Sequence, residues 1–167
     1  MSRPVYTLWA IGRRFFTRTL FGQGLHTETR PAARRSIFLR HLDGGSSNAP
    51  EVELTALNNP IYDIEQYGIR FVASPRHADV LLITGPLTRN MLASAIAAFD
   101  AMPKPKRIVT VGDCADFLNG VAPCLFADSY AVVDLPPSMK ECIVAHVPGD
   151  PPSPEAILEV LLRLDTE

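Results

Sequence analysis

Ser36-Ile37-Phe38-Leu39-Arg40-His41-Leu42, then Asp43-Gly44-Gly45-Ser46-Ser47-Asn48-Ala49-Pro50-Glu51, then Val52-Glu53-Leu54, is the stretch that decides the fold. A mostly apolar run of strand length enters a loop of turn formers, and the loop enters a helix. In α/β proteins a loop of this kind holds ligands, because the helix N-terminus behind it offers unpaired N–H groups. The loop therefore starts as a candidate binding turn, and the rest of the chain is read outward from it.

Downstream, strands and helices alternate. Glu51–Leu57 is expected as a helix stopped by Asn58-Asn59-Pro60, and Ile61–Tyr67 as one or two helical turns closed by Gly68. Strands are expected at Ile69–Ala73, Asp79–Thr84, Lys106–Val111 and Cys142–Val147, with a short extended piece at Tyr130–Asp134. The run Asp79–Thr84 has the continuous apolar character of a strand covered on both faces. Thr88–Ala101 reads as a helix ended before Pro103. Ser153–Leu164 reads as the last helix, with Ser153 as N-cap and Pro154 at its first position. This alternation predicts an α/β domain over 36–167, with a mainly parallel sheet of five (or four) strands and helices on both faces. Its functional edge is expected at loops 43–51, 74–78, 85–88, 112–120 and 148–153.

Upstream, residues 1–35 have a different character. Leu8, Ile11, Phe15 and Phe16 recur at helical spacing among arginines, the pattern of a basic amphipathic helix over 5–21; residues 22–35 read as an extended linker. Residues 1–41 hold eight arginines and one acid, a net of +7. The remainder carries eight basic and seventeen acidic side chains, a net of −9. A basic arm on an acidic body points to docking on a partner or a membrane surface. Trp9, Arg13 and Phe16 are its candidate contact residues. Nucleic acid is not the expected partner.

Composition sets the remaining bounds. The chain has 167 residues, 47% hydrophobic and 20% charged, as a globular domain has. Fifteen prolines cluster in the expected loops. Three cysteines, 114, 124 and 142, have no short mutual spacing, which argues for a reducing compartment and against a disulfide framework. The N-terminus lacks the pattern of a signal peptide, and no run approaches membrane-spanning length. A soluble or peripheral cytoplasmic protein is expected. There is no G-x-G-x-x-G, P-loop, G-x-S-x-G or H-E-x-x-H, and His26, His41, His77 and His146 are scattered. No catalytic residues are expected.

Five short motifs fall at the expected strand ends. They are Asn59-Pro60-Ile61-Tyr62-Asp63, the segment Ser74-Pro75-Arg76-His77-Ala78-Asp79 through Thr88, Met102-Pro103-Lys104-Pro105, Val111-Gly112-Asp113-Cys114-Ala115 and Val147-Pro148-Gly149-Asp150-Pro151-Pro152. Together they resemble the small subunits of membrane-bound group 4 nickel–iron hydrogenases and the homologous 20 kDa subunit of respiratory complex I (NADH:ubiquinone oxidoreductase). The resemblance runs from about Ser36 to Leu164. It implies a flavodoxin-like, three-layer domain holding one 4Fe–4S cluster, which passes electrons between a ferredoxin-like subunit and a large subunit. It also implies a peripheral place on the cytoplasmic face of the inner membrane, next to an integral membrane subunit.

The resemblance further implies the cluster ligands: a Cys-x-x-Cys after the first strand, a cysteine after the fourth, and a cysteine in Pro-Gly-Cys-Pro-Pro. Here those positions are Ser47, Pro50, Cys114 and Asp150. Soft thiolates suit iron–sulfur clusters, whereas proline has no donor and serine and aspartate are hard. The expectation is a degenerate site with no cofactor, in a non-redox structural subunit of an ion-translocating complex that bridges a large-subunit homologue and the membrane arm. Glu51 and Arg76 join the interface candidates. The alternative is an electron-transfer subunit with an atypically ligated cluster or another metal on Cys114 and Asp150, helped by His41 or Asp43. A free flavodoxin-like nucleotide binder ranks third.

Overall fold

The structure, a computed structural model, describes residues 36–119 and 130–164, all within the unit Arg34–Glu167. The expected basic helix with Trp9, Arg13 and Phe16, the linker to residue 35, and Cys124 lie outside the described residues.

Five strands form one sheet: β1 (Ile37–Asp43), β2 (Ile69–Phe71), β3 (Val80–Thr84), β4 (Arg107–Val111) and β5 (Ile143–Val147). Their order is β2-β1-β3-β4-β5 and every pairing is parallel. This is the doubly wound order in which the chain changes direction across the sheet between β1 and β3. Parallel neighbours need crossovers. Helices α1 (Ala49–Ala56), α2 (Arg89–Ala101), α3 (Pro137–Lys140) and α4 (Pro154–Arg163) accompany the strands, the first three lying in these connections and the last following β5.

The apolar pattern explains the layers. All five residues of β3 are buried, because it lies mid-sheet and both faces are covered. On one face Leu39, Leu82, Val109, Val111 and Val147 pack with Leu54 and Leu57 from the α1 side and Ile157 and Leu161 of α4. On the other, Leu81, Ile83 and Ile108 pack with Ala95 and Phe99 of α2, Phe117 and Met139. Truncating one such fully buried leucine to alanine costs about 2–5 kcal/mol. Cys142 is half-buried against the second cluster, an apolar filler.

Several boundaries differ from expectation. Helix α1 begins at Ala49 rather than Glu51, because Asn48 adopts a left-handed conformation (φ 70°) that turns the chain into the helix two residues early. Of Tyr130–Asp134, only an isolated antiparallel bridge between Thr88 and Val132 forms. Single turns at Pro75–His77 and Asp113–Ala115, and helix α3, lie where loops were read; they are too short to leave a periodic signature. Ser153 caps α4 as expected, its Oγ accepting the Ala156 N–H at 3.3 Å. Gly68 closes the turn before β2 at φ 79°. No helix among the described residues is long and apolar enough to cross a membrane.

Candidate functional site

The loops leaving β1, β3, β4 and β5 meet at the carboxyl edge of the sheet. The first folds around Asp43, whose Oδ1 accepts the N–H groups of Gly45 and Ser46, both at 2.8 Å. Gly44 is stitched to the β3 loop: its N–H donates to the Thr84 carbonyl at 3.0 Å, and its carbonyl accepts the Thr88 N–H at 2.8 Å. The backbones approach so closely that a Cβ on Gly85 would lie 2.5 Å from Ser46 Cα, and Gly85 itself has φ +66°. Glycine is needed there for both reasons.

Glu51, in the first turn of α1, is the hub of this half. Thr84 Oγ1 donates to its Oε1, and Ser46 Oγ donates to its Oε2 at 2.5 Å. Ser46 Oγ in turn accepts the Asn48 N–H at 3.1 Å. A capping-box glutamate usually reaches the N-cap N–H itself; here a serine hydroxyl relays the contact. His41 completes the group, with Nε2 3.0 Å from Thr84 Oγ1 and 3.5 Å from Glu51 Oε1. Burial pushes the His41 pKa below its ordinary value, outweighing the opposing pull of Glu51 and Asp43, so the contact does not make a charged pair at neutral pH. His41, Glu51, Leu54, Thr55, Asn58 and Phe71 line a shallow cleft beside the hub.

The other half is built on Asp113. Its Oδ1 accepts the Gly149 N–H at 2.6 Å, and its own N–H donates to the Gly149 carbonyl at 3.0 Å. The Gly112 N–H donates to the Val147 carbonyl at 2.9 Å. The two halves face each other at Gly112, where an added Cβ would stand 3.5 Å from the ring of buried Pro50 and 3.6 Å from the Gly149 carbonyl. Proline is tolerated in the first helical turn, where its missing N–H would lack an intrahelical partner.

The four positions that the resemblance assigns to cluster ligation therefore sit on three loops that the fold brings to one edge. Ser47 and Asp150 are exposed, Cys114 is half-buried and Pro50 is buried. One thiol, one hydroxyl, one carboxylate and a proline ring do not fit a 4Fe–4S cluster. Among the described residues no three His, Cys, Asp or Glu side chains group as metal ligands. His41 and Asp43, the expected helpers to a metal, are engaged elsewhere: His41 with Thr84 at the end of β3, and Asp43 with the N–H groups of its own loop. Arg76 is exposed on a turn level with the first half of β1, since Asp79 N–H donates to the Phe38 carbonyl and Val72 N–H to that of Leu39. The turn 74–78 thus stands apart from the carboxyl-edge loops with which it was grouped, because β2 is short and pairs only with Ile37–Leu39.

Sequence reading missed Asp113, Ser46 and Thr84 as organisers. Glu51 three residues after Asn48 carried a capping signal; nothing near Asp113 pointed to Gly149, 36 residues away. It also missed the exposed apolar residues Val52 and Leu118, each 57% exposed, on the segments after β1 and β4.

Comparison with known proteins adds the lineage. Residues 48–164 match the family described as NADH ubiquinone oxidoreductase, 20 Kd subunit. The chain is 36% identical over 132 residues to the probable membrane-bound hydrogenase subunit mbhJ of Pyrococcus furiosus, covering 78% of this chain and 75% of that one. It is 38% identical over 125 residues to formate hydrogenlyase subunit 7 of Escherichia coli, covering 75% of this chain but 47% of the relative, about half its length. It is 37% identical over 115 residues to an NADH-quinone oxidoreductase subunit of Citrifermentans bemidjiense, covering 68% of this chain and 62% of that one. A chain in the structure of the membrane-bound sulfane sulfur reductase, an archaeal respiratory membrane complex, shares the fold at TM-score 0.60 and 24% identity, over 78% of this chain and 71% of that one.

Proposed function

The chain belongs to the family of the NADH ubiquinone oxidoreductase 20 Kd subunit, and from that premise we propose that it is a non-redox structural subunit of a membrane-bound complex related to hydrogenases and NADH-quinone oxidoreductases. The loop edge is its contact with a large-subunit homologue. The basic segment 1–35 contacts the membrane subunit or the lipid surface on the cytoplasmic side. The complex translocates ions without passing electrons through this subunit.

The carrying observation is the donor set Ser47, Pro50, Cys114 and Asp150 on loops whose fold is otherwise intact. An electron wire needs closely spaced centres, so a member without its centre contributes shape and contacts. Exposed Val52 and Leu118, with exposed Ser47, Asp113 and Asp150, offer a mixed apolar and polar surface on these loops, suited to a protein partner, while Glu51 is turned inward.

Iron and acid-labile sulfide, measured in the anaerobically purified complex and mapped to each chain, test the proposal. Neither should copurify with this chain. About one cluster per copy would overturn it and favour an electron carrier with an atypical cluster. Such a carrier would show a low-temperature EPR signal on reduction that Cys114→Ala removes.

A further inference from the structure

We infer that β1 takes up an extended segment of a neighbouring protein subunit beside its second half, as a strand added where β2 stops, and that this segment carries a lysine or arginine toward Glu51. The site is the cleft lined by His41, Glu51, Leu54, Thr55, Asn58 and Phe71, and none of the four ligand positions lines it. The inference rests on the reading of the chain as a subunit of a complex, and not on the absence of a cluster from it.

Strand register carries it. β1 runs seven residues and β2 three, and their pairing ends at Leu39 and Phe71. Arg40–Asp43 therefore continue for about 13 Å with no strand on that side. The Ile37 N–H donates to the Gly68 carbonyl and the Val72 N–H to the Leu39 carbonyl, so the odd-numbered residues of β1 bond toward β2. The Asp79 N–H donates to the Phe38 carbonyl and the Gly44 N–H to the Thr84 carbonyl, so the even-numbered ones bond toward β3. By this alternation His41 turns its N–H and carbonyl to the open side, and among the described residues no backbone partner meets them there. The outer edge of β2 is blunted by its shortness and by exposed Arg70 and Glu65, 3.7 Å apart. The open side of His41 is instead walled by Phe71 and Leu54. A main-chain donor and acceptor beside a groove is the geometry of strand addition. The cleft also fixes the charge of its occupant. Glu51 is its carboxylate, and no lysine or arginine lines it. Ser46 and Thr84 use two of the roughly four acceptor sites of that carboxylate. A lysine or arginine stem fits along Phe71 and Leu54 with its head at the remaining sites.

Amide exchange at His41, compared between the isolated full chain and the purified complex, tests this together with a photo-cross-linker placed at Asn58. In the complex, exchange at His41 should slow roughly ten-fold, as about one net hydrogen bond allows. The cross-link should land on an extended segment of another subunit, beside a lysine or arginine. Thr55→Trp fills the cleft from an exposed position and should abolish both signals, with the unfolding midpoint of the isolated chain unchanged. Thr55→Lys should weaken the cross-link more than Thr55→Gln; equal or reversed effects would overturn the basic segment. Equal exchange at His41 in the two states would overturn strand addition, as would a cross-link within the same chain, to a second copy or to a helix. Cluster iron mapped to this chain would end the non-redox reading and leave these outcomes as they stand. A chain that enters no complex would end both.

Discussion

The loops after β1 and β5 come together around Pro50, Gly112 and Gly149, yet they are held in opposite ways. The β1 loop is gripped from inside: a half-buried carboxylate, Glu51, gathers Ser46, fully buried Thr84 and His41, and backbones close to the limit of contact leave room only for glycine. The β5 loop is gripped from outside, by exposed Asp113 through one residue. Neither grip runs through the Ser47 or the Asp150 side chain. The lesson is one of burial. A buried hub leaves costly unsatisfied groups when it is cut, whereas water can take over from an exposed clamp.

The comparison breaks most visibly at Gly85. Gly85→Ala forces a Cβ against the Ser46 backbone at a left-handed φ, and should lower unfolding free energy by about 3 kcal/mol in a urea titration. Glu51→Ala comes next: it takes the carboxylate acceptor from the buried Thr84 hydroxyl, leaving it only His41, and releases Ser46, for an expected loss of about 2 kcal/mol by the same titration. Asp113→Ala should cost about 1 kcal/mol, because solvent reaches Gly149. Equal losses from Glu51→Ala and Asp113→Ala would erase the distinction between the hub and the clamp.

The smallest effect is a pH dependence on the hub side alone. Burial holds the folded-state pKa of His41 below the ordinary 6.5. As pH falls below about 6.5 the unfolded chain takes up the proton first, so stability drops, and the loss levels off once the lower folded pKa is passed. Glu51 and Asp43 counter the shift, and Arg40 adds to it. Unfolding midpoints measured at about pH 7.5 and 5.5, either side of the ordinary histidine pKa, should differ less in His41→Gln than in wild type; an unchanged difference would place the sensitivity elsewhere.

Much of this molecule could be read without coordinates. The apolar run at Val80–Thr84, the strand-helix alternation and Ser153-Pro154 specify a parallel sheet, its buried centre and its last helix, because periodicity and capping are local. Residue identity alone also says that proline offers no donor at one of the four positions the resemblance assigns to ligation. Tertiary structure decided the rest. It brought Asp113 to Gly149 and Glu51 to Thr84, across 36 and 33 residues, and it moved the Arg76 turn away from the edge through the short pairing of β2. Such bonds depend on strand order and register, which no local pattern encodes, so only the folded chain could reveal that these loops brace one another.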